Sequence, residues 1–155
     1  MIKKTKQISA VLDTNIIISG FISPKGNPAK VLNEFIKGSF LLVTSKELID
    51  ELKDVFTRPG IKNKYHLDIQ DIDEFLISLQ ELAKIVSVKI RVTVSRDPKD
   101  DMFLSCALEG KADCLVTGDN DLLVLKEFGG AKIITIREFL DVLKEKTGAI
   151  INKVH

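Results

Sequence analysis

Short apolar runs alternate along the chain with longer segments whose apolar residues recur at helical spacing. The runs of strand length are residues 8–12, 40–43, 85–88, 113–117 and 132–136. The helical segments are about 28–37, 45–58, 68–83, 97–110 and 137–146, and Asp13-Thr14-Asn15 can cap a further helix after the first run. Strands that alternate with helices and stay apolar throughout are typical of a parallel sheet with both faces covered. The pattern therefore predicts a three-layer α/β/α fold.

Composition places the chain among ordinary soluble proteins. It has 155 residues, of which 45% are apolar and 29% are charged, and this suits a single domain over residues 1–155. No apolar run approaches the ~20 residues needed to cross a bilayer, so no membrane partner is expected. The basic start, residues 1–6, is not followed by a small-residue cleavage site, so no secretory signal is expected.

Cysteine content and net charge add two expectations. Cys106 and Cys114 are the only cysteines and fit no metal-binding spacing, so a cytoplasmic location is expected. The formal net charge of +1 provides no overall attraction to nucleic acid, and any such partner must meet a local basic patch.

Two acidic residues directly follow predicted strands. Asp13 follows the first strand, and Asp119 follows the strand that ends at Thr117. Ligands of open parallel sheets bind beyond the carboxyl ends of the strands, where the strand order reverses. If the two strands are neighbours, Asp13 and Asp119 lie close together at that edge.

Two further acidic residues lie on helices at positions that turn inward. Glu51 borders the apolar face of the helix that begins at Ser45, and Asp100 lies on the apolar stripe of the helix that follows Asp97-Pro98. Asp101 is rotated about a quarter-turn away from that stripe. An unpaired buried carboxylate is costly, and a hard divalent cation is the usual compensation.

Each acidic residue also has an ordinary explanation. Asp13 can be only a helix cap, Glu51 a surface residue, Asp100 a capping-box residue, and Asp119 and Asp121 turn residues. These explanations are independent, so all of them holding together is improbable. The constellation is informative, whereas no single motif is.

At these residues the chain resembles PIN-domain proteins, in particular the toxin components of toxin–antitoxin pairs. The similar segments cover about residues 8–143. They are Val11-Leu12-Asp13-Thr14-Asn15, the Ser45 to Glu51 spacing, the segment from Asp97 to Ala107, the segment from Ala112 to Leu123, and the segment from Ile134 to Leu140.

The resemblance implies a five-stranded parallel sheet of order 3-2-1-4-5 and an Mg²⁺- or Mn²⁺-dependent ribonuclease. It implies Asp13, Glu51, Asp100 and Asp119 as catalytic and metal-binding residues, Asp121 as an outer or second-metal ligand, and Asn15 and Thr117 as polar supports. The expected partners are an RNA substrate, a small antitoxin protein and a second copy of the chain. Lys25, Lys30, Arg58, Arg96 and Lys99 flank the proposed site and are expected either to meet RNA phosphates or to be solvated surface charges.

Two rival functions remain open. An aspartyl-nucleophile phosphatase of the haloacid dehalogenase type also has an Asp after the first strand, but it needs a second Asp where this chain has Asn15. It also leaves Glu51 and Asp100 without a role. The other rival is a non-catalytic RNA-binding module. His66 and His155 fall outside every motif, which disfavours catalysis by histidine, and the G-x-x-x-x-G-K-[ST] motif of P-loop NTPases is absent.

Overall fold

The computed structural model describes residues 7–154, with side chains described for residues 7–146. The basic residues 1–6 and His155 lie outside the described residues. Within that range the strands are β1 (Ser9–Leu12), β2 (Leu41–Ser45), β3 (Lys84–Val86), β4 (Cys114–Val116), β5 (Glu127–Phe128) and β6 (Ala131–Ile134). The helices are α1 (Thr14–Ile22), α2 (Asn27–Lys37), α3 (Lys46–Thr57), α4 (Pro59–Lys62), α5 (Ile69–Leu82), α6 (Pro98–Glu109), α7 (Asn120–Leu123) and α8 (Ile136–Val154).

The described strands form one sheet of order β3-β2-β1-β4-β6-β5. Five of them, all but β5, are parallel and follow the predicted order 3-2-1-4-5. The sixth, β5, was not predicted, and it pairs antiparallel with β6 through the two-residue turn Gly129-Gly130. Both glycines have positive φ (56° and 90°), which suits the tight turn of a hairpin. The sheet is therefore mixed rather than purely parallel.

The sheet has a hydrophobic cluster on each face. Along β1, Ala10 and Leu12 point to one cluster and Val11 points to the other, because successive side chains of a strand point to opposite faces. Helices α1, α2, α3, α5 and α8 contribute to the first cluster, and α6 and α7 contribute to the second. This arrangement confirms the three-layer α/β/α prediction.

Polar residues at the carboxyl ends of strands and loops start the helices that follow. Asp13, Ser45, Asp68 and Asp97 each accept a hydrogen bond from a backbone N–H in the first turn of the next helix. The predicted last helix ends too early at 146, since α8 continues to Val154. The short helices α4 and α7 were not predicted. None of the described helices combines the length and the apolar character needed to span a membrane.

Candidate active site

Asp13 lies at the carboxyl end of β1 and is held by hydrogen bonds on both carboxylate oxygens. Its backbone N–H donates to the Val116 carbonyl at 2.9 Å and so continues the pairing between β1 and β4. Its Oδ1 accepts from the Asn15 N–H at 3.0 Å, and its Oδ2 accepts from the Thr117 hydroxyl at 2.8 Å. The side chain is buried. Its position and orientation are therefore fixed by the neighbouring strand as well as by its own helix.

Thr117 links Asp13 to Asp119. The fully buried Thr117 hydroxyl donates to Asp13 and accepts from the Asp119 N–H at 3.0 Å. Asp119 in turn caps α7, since its Oδ1 accepts from the Asp121 N–H at 2.9 Å. Because β1 and β4 are neighbours, the two acidic residues that follow them meet at one edge of the sheet, as the sequence predicts.

Asp100 is buried in the first turn of α6 and is 4% exposed. Burial and then the negative charge of Asp119 raise the pKa of its carboxyl from 3.8 to about 6 in total, although the hydrogen bond from Ser95 Oγ at 3.1 Å opposes the shift. The neighbouring Asp101 is less buried, which agrees with the predicted helical phase. The folded protein thus holds Asp100 in surroundings that disfavour its ionised form.

The tightest acidic group at this edge contains Asp100, Asp119 and Asp121. Each offers one carboxylate oxygen, and these oxygens lie within 4.8 Å of one another. Asp121 is also bound by Arg96, whose Nη2 donates to its Oδ1 at 3.1 Å. Asp13 lies outside this tight group, although the resemblance to PIN-domain proteins implies that it is a metal ligand.

Glu51 reaches the same region from α3. Its side chain is 16% exposed, whereas Glu47, Asp50 and Asp54 of the same helix are exposed. One oxygen, Oε1, lies 3.6 Å from Lys99 Nζ. The other oxygen, Oε2, is buried and has no hydrogen-bond partner among the described residues. A buried carboxylate oxygen without a partner is costly, so this atom marks a place where a cation or a donor fits.

A cavity of about 400 Å³ brings these side chains together. Its walls include the four predicted catalytic residues together with Asn15, Ser19, Asp97 and Lys99. Thr117 lies behind Asp13 rather than in the wall, and Asp121 lies beside the cavity. The structure thus gathers Asp13, Glu51, Asp100 and Asp119 from four distant points of the chain.

Two residues that position the site were not predicted from the sequence. Ser95 binds Asp100, and Asp101 binds the loop that carries Ser95, since its Oδ1 accepts from the Val94 N–H at 3.0 Å and the Ser95 N–H at 2.8 Å. From the helical phase, Asp101 was expected only to point away from the apolar stripe of its helix. No local pattern identifies either residue, because both contacts depend on the path of an irregular loop.

The five basic residues expected near the site differ in their surroundings. Arg96 binds Asp121 and Lys99 binds Glu51, so both contact acidic residues of the site. Arg58 is instead paired with Asp54 at 2.7 Å on the surface of α3. Lys25 and Lys30 are exposed.

Comparison with known proteins identifies the fold family. The sequence profile of the PIN domain matches residues 9–121. This chain belongs to the PIN domain family. The resemblance noted in the sequence is thereby confirmed, and PIN domains are generally nucleases.

Relatives of this PIN domain extend the comparison. It is 31% identical over 121 residues to Uncharacterized protein MJ1680 of Methanocaldococcus jannaschii, covering 78% of this chain and 77% of that protein. Its fold is similar to PAE2754 from Pyrobaculum aerophilum, with a TM-score of 0.60 and 15% identity over 89% of this chain and 90% of that chain. It is also similar to a chain of VapBC2 from Rickettsia felis, a structure bound to a DNA fragment from its promoter. There the TM-score is 0.55 and the identity is 14%, over 83% of this chain and 98% of that chain. At these identities the two structures support the fold alone.

The side chains of the PIN domain fit a divalent cation. The donors are carboxylate oxygens, which suit a hard cation such as Mg²⁺. The raised pKa of Asp100 and the unpartnered Glu51 Oε2 indicate negative charge and a free acceptor that the protein alone does not compensate. Both observations favour a site that is completed by a positive ion.

Proposed function

We propose that this PIN domain is an Mg²⁺- or Mn²⁺-dependent endoribonuclease that hydrolyses RNA phosphodiester bonds. The observation that carries the proposal is the convergence of Asp13, Glu51, Asp100 and Asp119 on one cavity that contains an unpartnered buried carboxylate oxygen. Membership of a family whose members are generally nucleases supports the same reaction class.

Asp13, Asp100 and Asp119 would hold the cation, with Glu51 as a further ligand or as the group that orients the attacking water, and with Asp121 at the outer side. When bound, the divalent cation would lower the pKa of a water molecule and neutralise the charge that develops on the phosphate. This chemistry needs neither a histidine base nor a covalent intermediate on Asp13.

The remaining polar residues keep these carboxylates in place. Thr117 and the Asn15 N–H fix both oxygens of Asp13, and Ser95 fixes Asp100. Lys99 pairs with Glu51 and has an exposed side chain, so it is placed to turn toward a substrate phosphate.

The test is cleavage of single-stranded RNA by the purified protein. Cleavage is expected with Mg²⁺ or Mn²⁺, is expected to stop with EDTA, and should leave no 2′,3′-cyclic phosphate, because water rather than the RNA's 2′-hydroxyl is the nucleophile. Asp13→Asn and Asp119→Asn should each remove the activity, whereas the matched exposed control Asp50→Asn should retain it. A cyclic-phosphate product, or cleavage that survives both EDTA and Asp13→Asn, would refute the proposal.

The two rival functions give different results in the same experiment. An aspartyl-nucleophile phosphatase would accumulate a phosphoenzyme on Asp13 that can be trapped with denaturant. A non-catalytic module would bind RNA and leave it intact under Mn²⁺. The Asn15 N–H bond to Asp13 favours neither rival, but the convergence of Glu51 and Asp100 on the cavity gives these residues a role in the nuclease that the phosphatase does not give them.

The family supports a proposal on partners, and the cysteines support one on location. We propose that the protein is the toxin of a toxin–antitoxin pair, with a small antitoxin protein and a second copy of the chain as partners. Co-purification with the product of a short adjoining gene, and sedimentation of the isolated protein, test these two partners. The two free, buried cysteines support a reducing compartment, and the cytoplasm is the location proposed.

A further inference from the structure

A groove of about 1090 Å³ runs between α2 and α8 and begins at the rim of the candidate active site. Pro28 of α2 and Ile136 of α8 line the site cavity, and their chain neighbours Asn27 and Arg137 line the groove. Both helices therefore start at the site and extend away from it. The groove and the site form one continuous surface.

Basic residues recur along both walls of the groove. On α2, Lys30 and Lys37 lie two helical turns apart, about 10 Å along the helix axis. On α8, Arg137 and Lys144 have the same spacing and hence the same separation. All four side chains are exposed. Each wall thus offers one cation near the site and a second cation further away.

The groove carries an excess of positive charge. Its walls contain four basic residues and two acidic residues, which are Lys30, Lys37, Arg137, Lys144, Glu34 and Asp141. The excess of two is larger than the net charge of the whole chain, which is +1. The groove is therefore more positive than the net charge of the chain alone would make it.

Three of the four basic residues of the groove are also available to a ligand, and the fourth, Lys37, pairs with Glu34. Glu34 is engaged by Lys37 at 3.7 Å and by the Ser39 hydroxyl. Lys30, Arg137 and Lys144 form no ion pair with any residue whose side chain the structure describes. Arg96 and Lys99 are by contrast paired with acidic residues of the site.

We propose that the groove between α2 and α8 holds the phosphate backbone of the RNA whose scissile bond lies in the acidic cavity. The inference rests on the proposed ribonuclease function. An acidic cavity repels a polyanion, so the attraction for RNA must come from cations beside the cavity. The basic residues of this groove are such cations, because the groove adjoins the cavity along α2 and α8. The groove has no aromatic side chain in its walls, which indicates contact with phosphates rather than with stacked bases.

The test measures the binding of a fluorescein-labelled single-stranded RNA by anisotropy in EDTA, so that cleavage does not interfere. Arg137→Glu combined with Lys144→Glu is compared with Lys53→Glu. Lys53 is an exposed residue of α3 and lies outside the groove, and its substitution also reverses a charge. Titrations over about 50 to 300 mM salt give the slope of log K against log[salt], and each lost phosphate contact should reduce that slope by about 0.7. The double variant should therefore lose about 1.4 from the slope, and Lys53→Glu should lose nothing.

The outcomes separate the groove from the ribonuclease proposal. An unchanged salt slope in the double variant, with RNA cleavage intact, overturns the groove and leaves the ribonuclease function standing. An equal reduction of the salt slope in Lys53→Glu also overturns the groove, because the reduction would then reflect the overall charge of the protein rather than contacts in the groove. A wild-type protein that neither binds nor cuts RNA overturns both. Binding of an acidic peptide that depends on Arg137 and Lys144, without RNA binding, would assign the groove to a protein partner instead. Circular dichroism of each variant checks that it is folded.

Discussion

Asp100→Asn should stabilise the metal-free protein at neutral pH. The carboxyl is buried and close to Asp119, and its pKa is raised from 3.8 to about 6. At about 1.36 kcal/mol for each pKa unit, keeping this group ionised in the folded state costs up to about 3 kcal/mol. Asparagine removes that cost but weakens the hydrogen bond from Ser95, which is worth about 1 kcal/mol. A net gain of about 1–2 kcal/mol, or roughly 2–8 °C in melting temperature for a chain of this size, is expected.

The pH dependence gives this prediction a sign that can be checked. Between about pH 4 and pH 6 the folded state keeps the Asp100 proton while the unfolded state releases it, so the stability of the wild type falls as the pH rises. Above about pH 6 the full cost of ionisation is present, and below about pH 4 both states are protonated. The advantage of Asp100→Asn should therefore be full at neutral pH and vanish at about pH 4.

The assay is thermal unfolding followed by circular dichroism in EDTA at both pH values. Asp50→Asn, which removes the same charge from an exposed position on α3, should change the free energy of unfolding by no more than about 0.5 kcal/mol. Two results would contradict this reasoning. One is that Asp100→Asn is less stable than the wild type at neutral pH, and the other is that its gain in stability is as large at about pH 4 as at neutral pH. Either would show that ionised Asp100 does not destabilise the folded protein.

Three further predictions follow from the contacts of the site. Saturating Mg²⁺ or Mn²⁺ should raise the melting temperature of the wild type and not that of Asp13→Asn, because a ligand of the folded state alone stabilises it; equal shifts in both proteins would place the ion elsewhere. Asp101→Asn keeps an oxygen that can accept from the Val94 and Ser95 N–H groups, so it should retain most RNA cleavage, whereas Asp101→Leu should lose the cleavage. Equal cleavage rates in the two variants would show that the loop does not need these hydrogen bonds. Thr117→Val should cost about 1–3 kcal/mol in urea unfolding, because the buried Asp13 oxygen loses its donor, and a cost near zero would exclude that role.

The positions of the acidic residues after the strands could be predicted from the sequence pattern, whereas the strand order was implied by the resemblance to PIN-domain proteins. Asp13 and Asp119 follow buried apolar runs, and the parallel arrangement brings the ends of β1 and β4 together at one edge. The burial of Asp100 followed from its helical phase alone. The strand positions and the helical phase depend on local periodicity, which the sequence displays directly.

Other features depend on contacts between distant segments. The pairing of Glu51 with Lys99 joins α3 to α6, and the contact of Ser95 with Asp100 depends on the irregular loop before α6. No repeating pattern specifies such side-chain pairs. The hairpin of β5 is different, because Gly129-Gly130 is a recognisable turn signal and the strand on its first side is too short to show a pattern.

The hydrogen bond between Asp13 and Thr117 joins residues 104 positions apart in the chain. During synthesis the first acidic residue therefore emerges from the ribosome long before the strand that positions it. We expect the growing chain to be unable to complete the site until β4 has been released and has paired with β1. The same distance means that any product truncated before β4 lacks Thr117 and Asp119, so translation that stops early yields fragments with an incomplete site.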